Sequence, residues 1–159
     1  MRIVSGGQTG VDRAALEFSC RAGLPHGGWC PKGRLAEDGR IPDAFDLVET
    51  RSADPAERTE RNVIDSDATL IVARDPKLSG GTALTLALAG RHRRPVLVVA
   101  EDASLEDAAA RVRGWLDDHE VATLNVAGPR ESQAPGLGRF VEALLARALS
   151  SPDPPPHGT

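Results

Sequence analysis

The chain has 159 residues, enough for one domain with a proper core, and its 40% hydrophobic and 26% charged residues are those of an ordinary soluble globular protein. A formal net charge of −4 excludes a global basic field for nucleic acid, and no apolar stretch reaches the length of a membrane span. The N-terminus has no signal-peptide pattern, Cys20 and Cys30 make no redox or metal-ligand spacing, and four histidines are scattered. The expected setting is therefore reduced and cytoplasmic, with no zinc site.

Short β-rich runs alternate with helical patterns. The first strand is Arg2–Ser5, and a helix follows in which Val11, Ala14, Ala15, Phe18 and Ala22 form one apolar stripe. His26–Trp29 reads as a short second strand, Cys30–Asp46 as an ordered loop or insertion, and Leu47–Thr50 as a third strand. A charged helix over Pro55–Asp65 precedes the clearly buried strand Ala68–Ala73. The helix Gly81–His92, the strand Val96–Val99 and a helix opened by Ser104, with Asp107 completing a capping box, come next. The strand Val121–Val126 and the helix Leu137–Leu149 close the pattern. Strand–helix alternation argues for α/β architecture: a single doubly wound, mainly parallel sheet with helices on both faces over residues 1–150. Residues 151–159, rich in proline, read as a disordered, solvated tail.

In such a sheet, ligands bind beyond the carboxyl ends of the strands, where the strand order reverses. Four glycine-bearing stretches are expected on that edge. In SGGQTG, Gly6 and Gly7 permit a sharp turn and close approach to a ligand, with Gln8, Thr9 and Gly10 leading to a helix N-terminus that favours an anion. A capping box of Thr9 and Asp12, with the glycines serving only the turn, accounts for the same residues. The spacing is neither the dinucleotide fingerprint nor a Walker A loop.

In the second stretch, Ser79, Gly80, Gly81 and Thr82 repeat the arrangement, with Ser79 or Thr82 as cap. The third, GGWCPKGR, offers Trp29 as a flat apolar face and Lys32, Gly33 and Arg34 as a basic turn, although core packing and a solvated pair are equally simple readings. The last supplies Arg130 as an anion fork, Glu131 to orient it or a ligand hydroxyl or else as a plain surface charge, and Ser132 as a cap for the final helix. Asn62 and Asp65 share a helical face with Arg58, which by itself reads as a solvated surface charge. No Ser-His-Asp set, Cys-His pair or paired carboxylates are visible.

Through SGGQTGVDRAAL, PHGGWCPKGR, AEDGRIP, RTERNVIDSDATLIV, SGGT and NVAGPRES, the chain resembles the molybdenum cofactor carrier family of the lysine-decarboxylase-like Rossmann group. The resemblance implies strand order 3-2-1-4-5-6, a homo-oligomer (dimer or tetramer), and a cleft for molybdenum cofactor, a phosphorylated pterin whose dithiolene holds oxomolybdenum. The ligand expected is thus small, anionic and phosphorylated, and the role a non-catalytic carrier. The rival is a nucleotide-binding sensor or nucleoside-phosphate hydrolase, as in the related cytokinin-activating phosphoribohydrolases. Those enzymes carry a glutamate shortly after the loop threonine, whereas Thr82 is followed by Ala83, Leu84, Thr85 and Leu86.

Overall fold

The computed structural model describes residues 1–150. The elements in chain order are β1 (Arg2–Val4), α1 (Val11–Ala22), β2 (His26–Gly27), β3 (Trp29–Cys30), β4 (Leu35–Ala36), β5 (Gly39–Arg40), β6 (Val48–Glu49), α2 (Pro55–Ile64), β7 (Ala68–Ala73), α3 (Gly80–Arg91), β8 (Val96–Ala100), α4 (Leu105–Asp118), β9 (Thr123–Ala127) and α5 (Leu137–Leu149). The main sheet has five strands in the order β2-β1-β9-β7-β8, every neighbouring pair parallel. Helices α1, α4 and α5 pack together on one face, while α2 and α3 cover the other. The doubly wound α/β class is therefore as expected.

The strand order and count are not. The sheet has five strands where six were expected, and the last strand of the sequence lies between the first and β7. If β9 is counted first, then β1, β2, β7 and β8, the spatial order reads 3-2-1-4-5. The last strand in sequence, β9, thus takes the central place that the first strand holds in the expected order. Such a permutation leaves every pairing intact, because the sheet depends on neighbours in space rather than on where the chain starts.

Two expected strands also change place. His26–Trp29 is broken at Gly28, whose φ of +126° turns the chain and whose added Cβ would lie 2.5 Å from the Ser5 carbonyl oxygen. Beyond that bend β3 leaves the main sheet and pairs in parallel with β6, so Leu47–Thr50 contributes to a side ribbon. The Cys30–Asp46 insertion carries the hairpin β4–β5 and its own small core of Leu16, Cys30, Ile41, Phe45 and Leu47. Cys30 is fully buried there, and burial pushes its thiol pKa up, so it behaves as a small apolar side chain.

The larger core lies between the sheet and α1, α4 and α5. Leu70, Leu124, Leu137, Leu144 and Leu145 are fully buried in it, each worth roughly 1.5–3 kcal/mol of transfer free energy. Helix α1 ends on Gly23 in the left-handed conformation, which lets its N–H reach back to the Ser19 and Cys20 carbonyls. Ser104 caps α4 by accepting from the Asp107 N–H, which is the Ser104 half of the expected capping box. Among the described residues no helix is long and apolar enough to cross a membrane. The expected tail, 151–159, lies outside the described residues.

Candidate functional site

The order of the sheet reverses at β9, so the loops following β1, β9 and β7 meet at the carboxyl edge. Between them runs a cleft of about 130 Å³ walled by Gln8, Arg58, Thr82, Thr85, Arg130 and Gln133. Thr82, Pro129 and Gln133 also wall a wider depression of about 340 Å³, which continues past Arg74, Lys77 and Ser79. Of the residues singled out in the sequence, Gln8, Ser79, Gly81, Thr82 and Arg130 line this region.

Arg58 sits under the first loop rather than in solvent. Only 15% of its side chain is exposed, and Nη1 lies 3.6 Å from Asp12 Oδ2. A Cβ on Gly6 would come within 2.5 Å of that Nη1, so glycine at this position is what lets the guanidinium lie flat on the loop. The Arg58 Nε is buried without a hydrogen-bond partner among the described residues. A buried, unpaired donor in a cleft wall is costly unless a ligand or water completes it. Burial raises the pKa of Asp12, and the nearby Arg58 charge opposes that shift.

The expected capping box at α1 is absent. Gly10 occupies the cap position with φ of +80° and no side-chain cap bond. Thr9 Oγ1 instead donates to Glu37 Oε1 and accepts from the Glu131 N–H at 3.1 Å. Asp12 reaches back to the Gln8 N–H at 3.3 Å, and the Val11 N–H is turned toward the Pro129 carbonyl. The N-terminus of α1 is thus partly spoken for, whereas α3 starts at Ser79 with no side-chain cap and with Gly80 and Gly81 exposed in its first turn. Of the two, α3 offers the freer backbone donors to an anion.

Glu37 is the hub that sequence reasoning missed. Its carboxylate takes the Thr9 hydroxyl, the Ser132 hydroxyl at 2.6 Å and the Ser132 N–H at 3.0 Å, which together hold its pKa below the ordinary glutamate value. Gln8 Oε1 accepts from the N–H groups of Thr9 and Glu37. Next along the turn, Asp38 pairs with Arg13, which also donates to the Gly7 carbonyl. Ser132 therefore fastens the β4–β5 hairpin rather than capping the final helix. Gly136 is at that cap position, and Glu131 Oε1 accepts from the Gly136 N–H. No local pattern marks Glu37; its partners lie 28 and 95 residues away in the chain.

The remaining expected residues are placed elsewhere. Arg34 is buried and donates to the carbonyls of Ile41, Pro42, Phe45 and Leu47, so its guanidinium organises the insertion. Lys32 is exposed beside it, and the Gly33 N–H donates to Glu49. Trp29 donates from Nε1 to Asp65 at 2.8 Å and carries Arg61 over its ring at 5.2 Å. Asn62 clamps the Trp29 backbone at both its N–H and its carbonyl. Trp29, Asn62 and Asp65 line a separate pocket of about 200 Å³ with Arg2 and Thr123, while Asn62 also borders a small cavity with Gly6, Asp12, Arg58 and Thr85 beside the switch-point cleft. Among the described residues there is no cluster of three or more His, Cys, Asp or Glu placed to hold a metal ion.

Comparison with known proteins agrees with this architecture. The crystal structure of "Putative molybdenum carrier protein" from Syntrophus aciditrophicus SB superposes with a TM-score of 0.92, at 45% identity over 94% of each chain. No curated protein matches the chain. The model of the circularly permutated YpsA SLOG family matches residues 3–149. The chain belongs to the circularly permutated YpsA SLOG family.

Proposed function

We propose that the switch-point cleft holds a small, anionic, phosphorylated ligand, with molybdenum cofactor as the cargo, and that the protein is a cytoplasmic, homo-oligomeric carrier rather than a catalyst. The observation that carries this reading is Arg58: a buried guanidinium laid on Gly6, with an unpaired Nε, in the wall of a cleft that also receives Arg130 and the uncapped start of α3. A fixed cation and free backbone N–H groups suit phosphate oxygens. Lys77 and Arg74 extend the positive lining into the wider depression, where the rest of a pterin-sized molecule has room. A relative at 45% identity whose name is "Putative molybdenum carrier protein" supports the same assignment. The loops around Gly6–Gly10, Ser79–Thr82 and Arg130–Ser132 form the ligand-facing shell of this proposal.

In this reading the chain binds, orients and shields. Arg58 and Arg130 neutralise the ligand charge, and Thr82 offers a hydroxyl to its polar edge, while the Thr85 hydroxyl donates to the Gly81 carbonyl. Where related hydrolases place a carboxylate on this helix, the cleft wall here has Thr82 and Thr85, which cannot act as a carboxylate base. The test is mass spectrometry and metal analysis of protein purified without oxygen from a host that makes the cofactor. Copurifying phosphorylated pterin and molybdenum, both lost in Arg58→Ala, are expected. A nucleotide without molybdenum, or nucleobase release from a nucleoside monophosphate, overturns the carrier reading in favour of the sensor or hydrolase class.

A further inference from the structure

The turn of the β4–β5 hairpin carries two acids in a row, Glu37 and Asp38, before Gly39 at a φ of +111°. Both reach out of the insertion onto the loops that follow β1 and β9. Glu37 Oε1 accepts from the Thr9 hydroxyl and the Ser132 N–H, and Oε2 accepts from the Ser132 hydroxyl at 2.6 Å. Asp38 takes both terminal nitrogens of Arg13, at 2.8 and 3.1 Å. The Glu37 N–H donates to Gln8 Oε1, and Gln8 is itself part of the cleft wall.

What surrounds the Glu37 carboxylate is an arrangement for an oxyanion. Two hydroxyls and one backbone N–H converge on it, and the charge of Arg130 also favours its ionised form. Converging hydroxyl and backbone donors beside a cation are equally what phosphate-like oxygens require. A carboxylate offers two oxygens to such donors and a tetrahedral oxyanion offers more, so either fills the same cradle. Thr9, Arg130 and Ser132 all belong to the ligand-facing loops; Glu37 alone comes from the insertion.

Polar contacts are all that tie the turn to those loops. Residues 37–40 are exposed, and none carries an apolar side chain. The nearest apolar anchors, Ala36 and Ile41, stand on either side of the turn and pack into the insertion's own small core. The turn can therefore tip away from Thr9 and Ser132 while the base of the hairpin stays packed.

We infer that Thr9 and Ser132, with Arg130 beside them, form a second oxyanion site, which the Glu37 carboxylate fills until an oxyanionic group of the ligand displaces it. The hairpin turn is then a strap, fastened across the ligand loops in the empty protein and released when the cradle is taken. This deepens the carrier reading and rests on it for the identity of the ligand. The cargo has two anionic ends, its phosphate and its oxomolybdenum group, and the Arg58 cleft and the cradle give the protein a site for each.

The experiment is titration calorimetry of the full chain with inorganic phosphate and, separately, with molybdate, alongside amide exchange over residues 35–40. In the wild type, saturating anion is expected to raise exchange at 35–40 relative to β7. Glu37→Ala empties the cradle and is expected to bind the anion about 10-fold more tightly than wild type, because no carboxylate has to be displaced. Adding Ser132→Ala to that variant should abolish the gain, with native circular dichroism throughout. A larger gain for phosphate assigns the cradle to the phosphate end of the cargo, and a larger gain for molybdate assigns it to the metal-oxo end. Affinity in Glu37→Ala no higher than in wild type, or a gain that survives Ser132→Ala, overturns the proposal. Protection at 35–40 that stays unchanged at saturating anion overturns it too. A Ser132-dependent gain in a protein that copurifies no pterin sinks only the carrier reading, and copurifying pterin without that gain sinks only the cradle.

Discussion

Asp12 and Arg58 form an ion pair beneath the first loop, 3.6 Å apart, with the carboxylate almost entirely out of water. Burial wins over the Arg58 charge and raises the Asp12 pKa. An ionised Asp12 competes with an anionic ligand for the same guanidinium. Protonation removes that competitor, so affinity for a phosphorylated ligand is expected to rise as pH falls through the raised pKa. Stability follows the same sign: a raised carboxyl pKa contributes stability below its unfolded value that is lost as pH rises. Asp12→Asn should flatten both dependences, measured by titration calorimetry and thermal melts across pH. An unchanged binding profile in that variant would show that Asp12 does not face the ligand charge.

Arg58→Ala removes the cation and leaves Asp12 buried and unpaired. Breaking a buried pair costs about 3–5 kcal/mol, and loss of a charged hydrogen bond to ligand costs roughly 10- to 100-fold in affinity. Gly6→Ala tests the same contact from the loop side. Its Cβ would meet Arg58 Nη1 at 2.5 Å and Cδ at 2.8 Å, so the guanidinium must shift away from Asp12, and binding and stability should fall together. Gly10→Ala should lower stability while Arg58 keeps its place. There the φ is +80° and the obstacles are the Pro129 oxygen at 2.6 Å and the Glu131 nitrogen at 2.8 Å, which are backbone and cannot move cheaply. Ligand affinity unchanged in Gly6→Ala would mean that Arg58 does not hold the anion.

How much of this was legible follows from the range of the interactions involved. Helix α1 at Val11–Ala22, strand β7 at Ala68–Ala73 and helix α5 at Leu137–Leu149 match their sequence expectations because each is set by a local apolar period. The kink at Gly28 was not legible, since glycine in a strand pattern does not announce which carbonyl it must avoid. The loops after β1, β7 and β9 were correctly expected on one edge, but their hydrogen bonds were not. Thr9 and Asp12 fit a capping box by spacing; Glu37 and Arg58 take them instead, and both come from segments distant in sequence. Arg58 looks solvated because its neighbours on α2 are charged, whereas the residues that cover it, Gly6 and Asp12 among them, lie far away in the chain.

The insertion is fastened by acids, so it should loosen in acid before the sheet does. Glu37, Asp38 and Asp43 all have pKa values below their ordinary ones, through Ser132 and Thr9, Arg13, and Arg40 respectively. Lowered carboxylate pKa values stabilise above the unfolded values and lose that contribution as pH falls through the folded ones. Amide exchange over residues 35–43, corrected for intrinsic rates, is expected to rise relative to β7 as pH drops from about 5 toward 3. Glu37→Gln should already show part of that loosening at neutral pH. Protection that holds in step with β7 to the lowest pH would mean that these contacts do not secure the hairpin.

Three basic residues that the sequence offers to an anion should behave in three different ways. Arg34 spends its guanidinium on four carbonyls in and beside the insertion; Pro42 and Phe45 keep a backbone N–H partner, but Arg34→Ala takes the side-chain donor from the Ile41 and Leu47 carbonyls as well and should cost about 3–5 kcal/mol. Even Arg34→Lys should be damaging, because an ammonium cannot span the same fork of acceptors. Lys32→Ala, at an exposed side chain, is expected to change stability by no more than about 0.5 kcal/mol. Arg130→Ala should leave stability nearly unchanged and lower ligand affinity, since its exposed side chain lines the cleft. Chemical denaturation and ligand titration on the same four variants separate these outcomes. If Lys32→Ala lost affinity while Arg130→Ala kept it, the anion would have to sit over the insertion rather than at the switch point.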